Sequence, residues 1–236
     1  MSELSRAEKM RYSRHLLLPE MGEAGQIKLK ESAVLVVGAG GLGCPVALYL
    51  AAAGVGRIGI IDFDQVDSSN LQRQVAFTQD DVGQPKAQVL AKRLREMNPH
   101  IEVEAIEDRF GASNAKELLA NYDVLVDGSD NFATRYLTND ASFLTQTPLI
   151  FGAVSRFQGQ VSVFNANEEA PCYRCLFPDE PEAGTILNCA EAGVLGALTG
   201  VIGTLQAAEC LKYLTGIGEL ASGRFMTYDL LNANFS

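Results

Sequence analysis

The chain is predicted to be an α/β protein with a mostly parallel sheet and helices on both of its faces, continued by antiparallel strands in its C-terminal half. Three observations carry that prediction. The apolar run Val34–Val37 enters a glycine turn, GAGGLG, then a small-residue helix, then a second apolar run that stops at Asp62. Strand-length apolar runs and helical periods keep alternating as far as residue 153, the pattern of parallel βαβ units with right-handed crossovers. Residues 158–165, QGQVSVFN, then alternate at period two with no helix before them, as an antiparallel strand does. The glycine-rich first turn makes the parallel part Rossmann-like.

In chain order, residues 3–30 read as helical with a break around Pro19 to Gly25, and they carry Arg11, Arg14 and His15. Taken alone this is a solvated helical face. Strands 34–37 and 57–62 flank helix 42–53, and the polar stretch DFDQVDSSNLQRQ that follows is too long for a simple turn. Gly83-Gln84-Pro85 opens a helix running to about Met97, with Pro85 at the first helical position, and Asn98-Pro99 closes it. Strand 101–106, helix 113–120, strand 123–127, helix 132–145 and strand 148–153 come next. After strand 158–165 lie Cys172-Tyr-Arg-Cys175, a Pro/Glu/Gly-rich segment 177–187 expected to be mobile, helix 191–215 and a last strand, 223–229. Gly193, Gly196, Gly200 and Gly203 fall on one face of that helix, a face expected to meet the sheet or a second subunit closely.

Composition narrows the function. At 236 residues, with 47% hydrophobic and 20% charged residues, the chain resembles an ordinary globular protein. A formal charge of −10 argues against a nucleic-acid partner, which calls for clustered Lys and Arg. The charged N-terminus lacks the apolar core of a signal peptide, and five cysteines without disulfide-scaffold density fit a reducing cytoplasm. The apolar stretch Gly193–Leu205 is too short to span a bilayer and runs on into Gln206, Glu209 and Lys212. It reads as a buried core helix, and no membrane is expected.

The chemistry gathers around the glycine turn. Gly38, Gly40 and Gly43 fit G-x-G-x-x-G, which lets backbone N–H groups and a helix N-terminus approach a phosphate. Asp62 stands where an acid can accept ribose hydroxyls. Asp130, just beyond the fourth strand, faces the same crevice, so the two carboxylates could serve a ribose and a metal ion. Each alone could equally be a cap or turn residue. Lys86 occupies the first turn of a helix, where the dipole disfavours a cation by ~0.3–1 kcal/mol; a phosphate beside it reverses that preference. Arg73 is a second phosphate clamp. A dinucleotide held by backbone N–H groups has no use for this set, whereas a triphosphate with Mg²⁺ does.

GAGGLG, DFDQVDSSNLQRQ, VGQPKA, DGSDN, PCYRC and NCAEAGVLG, in this order and after the opening RYSRHLLLPEMG, resemble the MoeB/ThiF family. Its members are the molybdopterin-synthase and thiamine-biosynthesis adenylyltransferases, relatives of the ubiquitin-activating enzymes. The resemblance spans essentially the whole chain. It implies one adenylation domain over residues 1–236, divided into an N-terminal helical segment (1–30), a nucleotide-binding half (31–153) and a carrier-binding and dimer half (154–236). It further implies a homodimer that uses ATP and Mg²⁺ to form an acyl-adenylate on a ubiquitin-like sulfur carrier ending in Gly-Gly. By the same resemblance Gly41 contacts the nucleotide through its backbone, Asp62 holds the ribose, and Ser69 and Asn131 join the nucleotide set. Asn70, Arg73 and Lys86 bind phosphates, Asp130 organises Mg²⁺, and Arg14 reaches the triphosphate of the neighbouring subunit.

The cysteines divide. Cys172 and Cys175 have the spacing of half a Zn²⁺ site. The family's second pair lies after the last strand, and this chain stops at Ser236, so the site is expected to be incomplete. Cys189 precedes a helix N-terminus, a setting that activates a thiol; the resemblance links it to a sulfur-handling step after adenylation. Cys44 and Cys210 read as packing residues. Two readings from other classes compete, an NAD-linked oxidoreductase and a non-catalytic scaffold. The joint presence of Arg14, Arg73, Lys86 and Asp130 speaks against the scaffold.

Overall fold

The apolar runs assemble into one eight-stranded sheet, ordered β3-β2-β1-β4-β5-β6-β7-β8, in a computed structural model that describes residues 3–181 and 193–236. Strands β1 (Ala33–Val37), β2 (Arg57–Ile61), β3 (Glu102–Ile106), β4 (Val124–Asp127) and the start of β5 (Leu149–Ser155) are parallel. From β5 onward, β6 (Gln158–Phe164), β7 (Met226–Asp229) and β8 (Asn234–Phe235) are antiparallel. The direction changes where the two residues Arg156 and Phe157 join β5 to β6, a connection too short for a parallel crossover.

The pleat decides which layer each residue joins. Val34, Val36, Ile58, Ile60, Val124 and Val126 pack on one face, beneath α4 (Gly43–Ala53), α5 (Lys86–Met97) and the helix Gly196–Thr215. Leu35, Val37 and Leu125 face the other way, toward α6 (Ala115–Leu119) and α7 (Phe132–Thr145). Three short helices, α1 (Arg6–Arg11), α2 (Ser13–Leu16) and α3 (Gly22–Glu31), precede β1. Ser5 and Glu8 close a capping box on α1, and Lys30 binds Glu8 at 2.9 Å. Arg11 donates to the carbonyl of Met97 at the end of α5.

Several boundaries differ from the sequence reading. β2 stops at Ile61, leaving Asp62 just past it, and Pro85 is the N-cap of α5 with Lys86 its first residue. A four-residue helix, α8 (Tyr173–Leu176), covers the C-x-x-C, and the last helix, α9 (Gly196–Thr215), begins at Gly196. Gly193 precedes it with φ +76°. The glycines of α9 meet different neighbours: a Cβ on Gly203 would come within 2.7 Å of the Leu42 carbonyl oxygen and 2.5 Å of Pro45 at the start of α4, and one on Gly196 would come 2.3 Å from the Gln72 carbonyl oxygen in the loop after β2. Gly200 on the same face has nothing within 4 Å. The final strand is shorter than expected, at 226–229, and pairs with the extra strand β8. The Pro/Glu/Gly-rich segment lies, from residue 182, outside the described residues. Among those residues no helix is long and apolar enough to cross a membrane, and the centre of α9 is core, with Leu198 and Ile202 buried.

A buried glutamine holds the middle of the sheet. β4 and β5 pair only at Leu125–Leu149 and Val126–Ile150. Gln206 of α9, fully buried, donates from Nε2 to the Asp127 carbonyl at 2.7 Å and the Ile150 carbonyl at 3.3 Å. There is no room for a side chain opposite it, since a Cβ on Gly152 would sit 2.3 Å from the Gln206 amide carbon. Gly152→Ala should therefore dislodge Gln206 from both carbonyls and destabilise the fold by about 1–3 kcal/mol, read as a lower urea midpoint at unchanged slope.

Candidate functional site

The carboxyl ends of β1, β2 and β4 open onto a cleft of about 470 Å³, at the point where the strand order reverses. Open parallel sheets bind ligands at such a switch point. Gly38, Gly40, Gly41, Asp62, Asn70, Arg73, Lys86, Asp130 and Asn131 all line it. Three sequence candidates do not. Gly43 lies beneath the turn, where a Cβ would come 1.8 Å from the Gly38 carbonyl oxygen. It lets the first turn of α4 fold against the loop. Ser69 sits in a short 3₁₀ turn, its N–H bonded to Asp67 Oδ1 at 2.8 Å and its carbonyl accepting from Arg73 Nη1 at 3.2 Å. It braces Arg73. Arg14 is exposed on α2, outside the cleft wall.

Asp62 is tied to the backbone on both sides. Its Oδ2 accepts from Ala39 N–H at 2.7 Å, and its Oδ1 accepts from Asp64 N–H at 2.8 Å. One carboxylate thus fixes the glycine turn and the loop leaving β2. Burial raises its pKa above the ordinary carboxylate value, while the two N–H groups and the Lys86 charge pull the other way. Asn131 caps α7 by accepting from Thr134 N–H at 2.9 Å. The exposed Asp130 beside it has no hydrogen-bonded or ionic partner among the described residues.

The cations are arranged for an anion that the protein itself supplies only in part. Lys86 is 7% exposed, and its Nζ lies 3.1 Å from Asp64 Oδ2, whose side chain is 52% exposed. Arg73 has no carboxylate partner among the described residues. Arg109 places its guanidinium 4.1 Å over the ring of Phe63, also in the cleft wall. Two buried polar atoms in the same wall, Gln74 Oε1 and Ser129 Oγ, have no hydrogen-bond partner, and such groups are costly unless a ligand or water completes them. Asp64, Gln74 and Arg109 were missed in the sequence. No local spacing marked Asp64, because its pairing with Lys86 is set only in the folded chain.

These residues fit a nucleoside triphosphate with Mg²⁺, which binds through one or two carboxylates, phosphate oxygens and water and needs no full protein cage. Asp130 is the free carboxylate in reach of that chemistry. Zinc fits less well. The sulfurs of Cys172 and Cys175 are 3.1 Å apart, but among the described residues no group of three or more His, Cys, Asp or Glu side chains gathers to hold a metal ion. Burial pushes the Cys44 thiol up to about 12 and also raises that of Cys210, so both are inert packing groups. Cys189 lies outside the described residues.

The ThiF family model matches residues 12–236. The chain is 53% identical over 235 residues to a sulfur carrier protein adenylyltransferase of Thermus thermophilus, covering 98% of this chain and 87% of that protein. It is 50% identical over 228 residues to the adenylyltransferase and sulfurtransferase MOCS3 of Aedes aegypti, covering 97% of this chain but 52% of that longer protein. A crystal structure of E. coli MccB with ATP superposes with a TM-score of 0.83 at 25% identity, over 98% of this chain and 71% of the other.

Lys86 separates binding from folding. Lys86→Met keeps the apolar stem and removes a buried cation from a helix N-terminus, where the dipole disfavours it by ~0.3–1 kcal/mol. Thermal stability should stay unchanged or rise slightly, while calorimetry shows affinity for a nucleoside triphosphate falling by about tenfold or more.

Proposed function

This chain belongs to the ThiF family, and on that premise we propose that it is an ATP-dependent adenylyltransferase acting on a ubiquitin-like sulfur-carrier protein. The observation that carries the reading is the cleft itself: a glycine turn, the cations Arg73 and Lys86, and the unpartnered Asp130 in one wall. The activity serves sulfur transfer in molybdopterin or thiamine biosynthesis. An NAD-linked oxidoreductase would leave these groups unused.

The reaction follows from that wall. ATP lies with its ribose hydroxyls toward Asp62 and its phosphates along the glycine turn, within reach of Asn70, Arg73 and Lys86. Lys86 exchanges the half-exposed Asp64 for a phosphate oxygen. An oxygen of the carrier's terminal glycine carboxylate attacks the α-phosphorus. The new P–O bond forms as the bridge to the β-phosphate breaks, and the electron pair leaves with pyrophosphate. The product is a mixed anhydride of the carrier and AMP. The attacking carboxylate is already ionised, so no base is required, and catalysis consists of positioning and charge stabilisation. Mg²⁺, held at Asp130, neutralises charge on the phosphates when bound.

The rest of the reading is of one kind with this. The chain is one adenylation domain of a cytoplasmic homodimer, its carrier ends in Gly-Gly, and the exposed Arg14 completes the neighbouring subunit's site. Cys189 serves a later sulfur-handling step. The test is exchange of radiolabelled pyrophosphate into ATP, stimulated by carriers ending in Gly-Gly. No exchange with any carrier, or calorimetry showing NAD bound more tightly than ATP, would refute it. Asp130→Ala should lower exchange about a hundredfold or more at unchanged melting temperature. Mixing Arg14→Ala with Asp130→Ala subunits should restore activity, because one hybrid site then carries both side chains. Subunit exchange without restoration would remove Arg14 from the site.

A further inference from the structure

Asp130 is held in place by its neighbours in the chain. It borders the nucleotide cleft and also a second cleft of about 510 Å³, which shares Val154 and has Arg135 in its wall. With open space on both sides and no hydrogen-bonded or ionic partner among the described residues, its carboxylate is placed by the backbone. On the C-terminal side that backbone is the first turn of α7, capped by Asn131. On the N-terminal side it is Gly128 and Ser129. Gly128 N–H donates to the Val37 carbonyl at the end of β1, at 2.8 Å. Ser129 N–H donates to Asp127 Oδ1 at 2.9 Å.

A charge in that position is not what folding alone would select. Asp127 ends β4 and is fully buried, and a buried carboxylate is costly unless it is paired and hydrogen-bonded. Its Oδ2 lies 3.3 Å from the Thr138 hydroxyl, but that hydroxyl also reaches the Arg135 carbonyl at 2.9 Å. The carboxylate is therefore satisfied only in part on that side. Burial raises its pKa above the ordinary carboxylate value, while the charge of the buried Arg135 pulls the other way. An asparagine would close the same turn onto Ser129 without burying a charge. What the carboxylate adds is a charge-assisted bond, stronger than a neutral one. The strand end that carries it is anchored in turn, since the Asp127 carbonyl accepts from Gln206 at 2.7 Å.

We propose that Asp127 is a positioning residue whose carboxylate, acting through the Ser129 N–H, aims Asp130 at Mg²⁺ on the triphosphate. The inference rests on the nucleotide and metal reading of the cleft. Asp127 itself touches neither substrate nor metal. A metal-binding carboxylate needs a fixed direction and free oxygens. A partner bonded to Asp130 directly would have to be displaced by the ion. A bond made one residue upstream restrains Asp130 and leaves both of its oxygens open. Outer partners of this kind commonly set metal affinity nearly as firmly as the ligands do.

The test is calorimetric titration of the full chain with ATP, once with Mg²⁺ and once with a chelator. In the wild type Mg²⁺ should tighten ATP binding, and Asp130→Ala should lose that gain. Asp127→Ala should lose the same gain, about tenfold or more, while its affinity for metal-free ATP stays at the wild-type value. Asp127→Asn keeps an acceptor for the Ser129 N–H and should restore most of the gain, although it leaves Arg135 without a counter-charge and should melt lower. If Asp127→Ala does not fold, the double variant Asp127→Ala with Arg135→Met takes its place, because it leaves no buried charge unpaired. Three results overturn the proposal: a gain kept in whichever of these folds, an equal loss of affinity with and without Mg²⁺, or an asparagine variant as defective as the alanine one. The wild type keeps the two readings apart. ATP binding that Mg²⁺ does not tighten refutes the metal reading and the proposal with it, whereas a wild-type gain that survives in the alanine variant refutes only the role of Asp127.

Discussion

The site depends on backbone packed directly against backbone where β1 and β4 part. Gly38 and Gly128 follow the ends of these strands, and Gly43 begins α4. A Cβ on Gly38 would lie 2.9 Å from the Gly128 carbonyl oxygen, and one on Gly128 would lie 3.1 Å from the Gly43 Cα. With no side chains between them, the helix starts close to the sheet, and its free N–H groups face the space where the two strands diverge. Asp62 locks that arrangement from the side through the Ala39 N–H. The same contact brings the loop after β2, which carries Asn70 and Arg73, over the turn. A single methyl group in this layer would displace the helix, and with it the cleft.

Around that layer the protein places charge where folding alone would not. Lys86 sits buried at a helix N-terminus and is answered only by a carboxylate half in water. Gln74 Oε1 and Ser129 Oγ are buried without partners. Both features lower stability in the free protein and favour an anionic, hydrogen-bonding ligand, so they mark the cleft more clearly than its shape does. The buried Gln206 differs. Its amide N–H bonds complete carbonyls that the short β4–β5 pairing leaves open, and although its Oε1 also lacks a partner, it lines neither cleft and belongs to the fold. Distinguishing the two kinds of buried polar group comes down to whether the unmet atom borders a cavity.

Two adjoining clefts lie at the carboxyl ends of the strands. Loops after β1, β2 and β4 form the polar cleft, while β5, β6, α7 and α8 form the apolar one. The change from parallel to antiparallel pairing at β5 is what makes room for the second. A hairpin places no helix over that end of the sheet, so its aromatic side chains are covered by α8 and the segment after it, leaving a groove beside Arg135.

What the sequence by itself determined was local in origin. The glycine spacing, the βαβ alternation, the acid after the second apolar run and a lysine in the first turn of a helix are all short-range patterns. They predicted the parallel sheet, the turn to antiparallel pairing and six of the residues that line the nucleotide cleft, Gly38, Gly40, Asp62, Arg73, Lys86 and Asp130, to which the family resemblance added Gly41, Asn70 and Asn131. The tertiary structure alone decided which groups from distant parts of the chain became neighbours. It set Asp64 against Lys86, left Ser69 and Gly43 as supports outside the wall, and brought Gly203 of α9 against the start of α4. It also brought Arg135 from α7 into a cleft shared with Asp130. Residues on one element announce themselves through periodicity. A partner supplied by another element is fixed by strand order and the direction of the pleat, which no short-range spacing encodes.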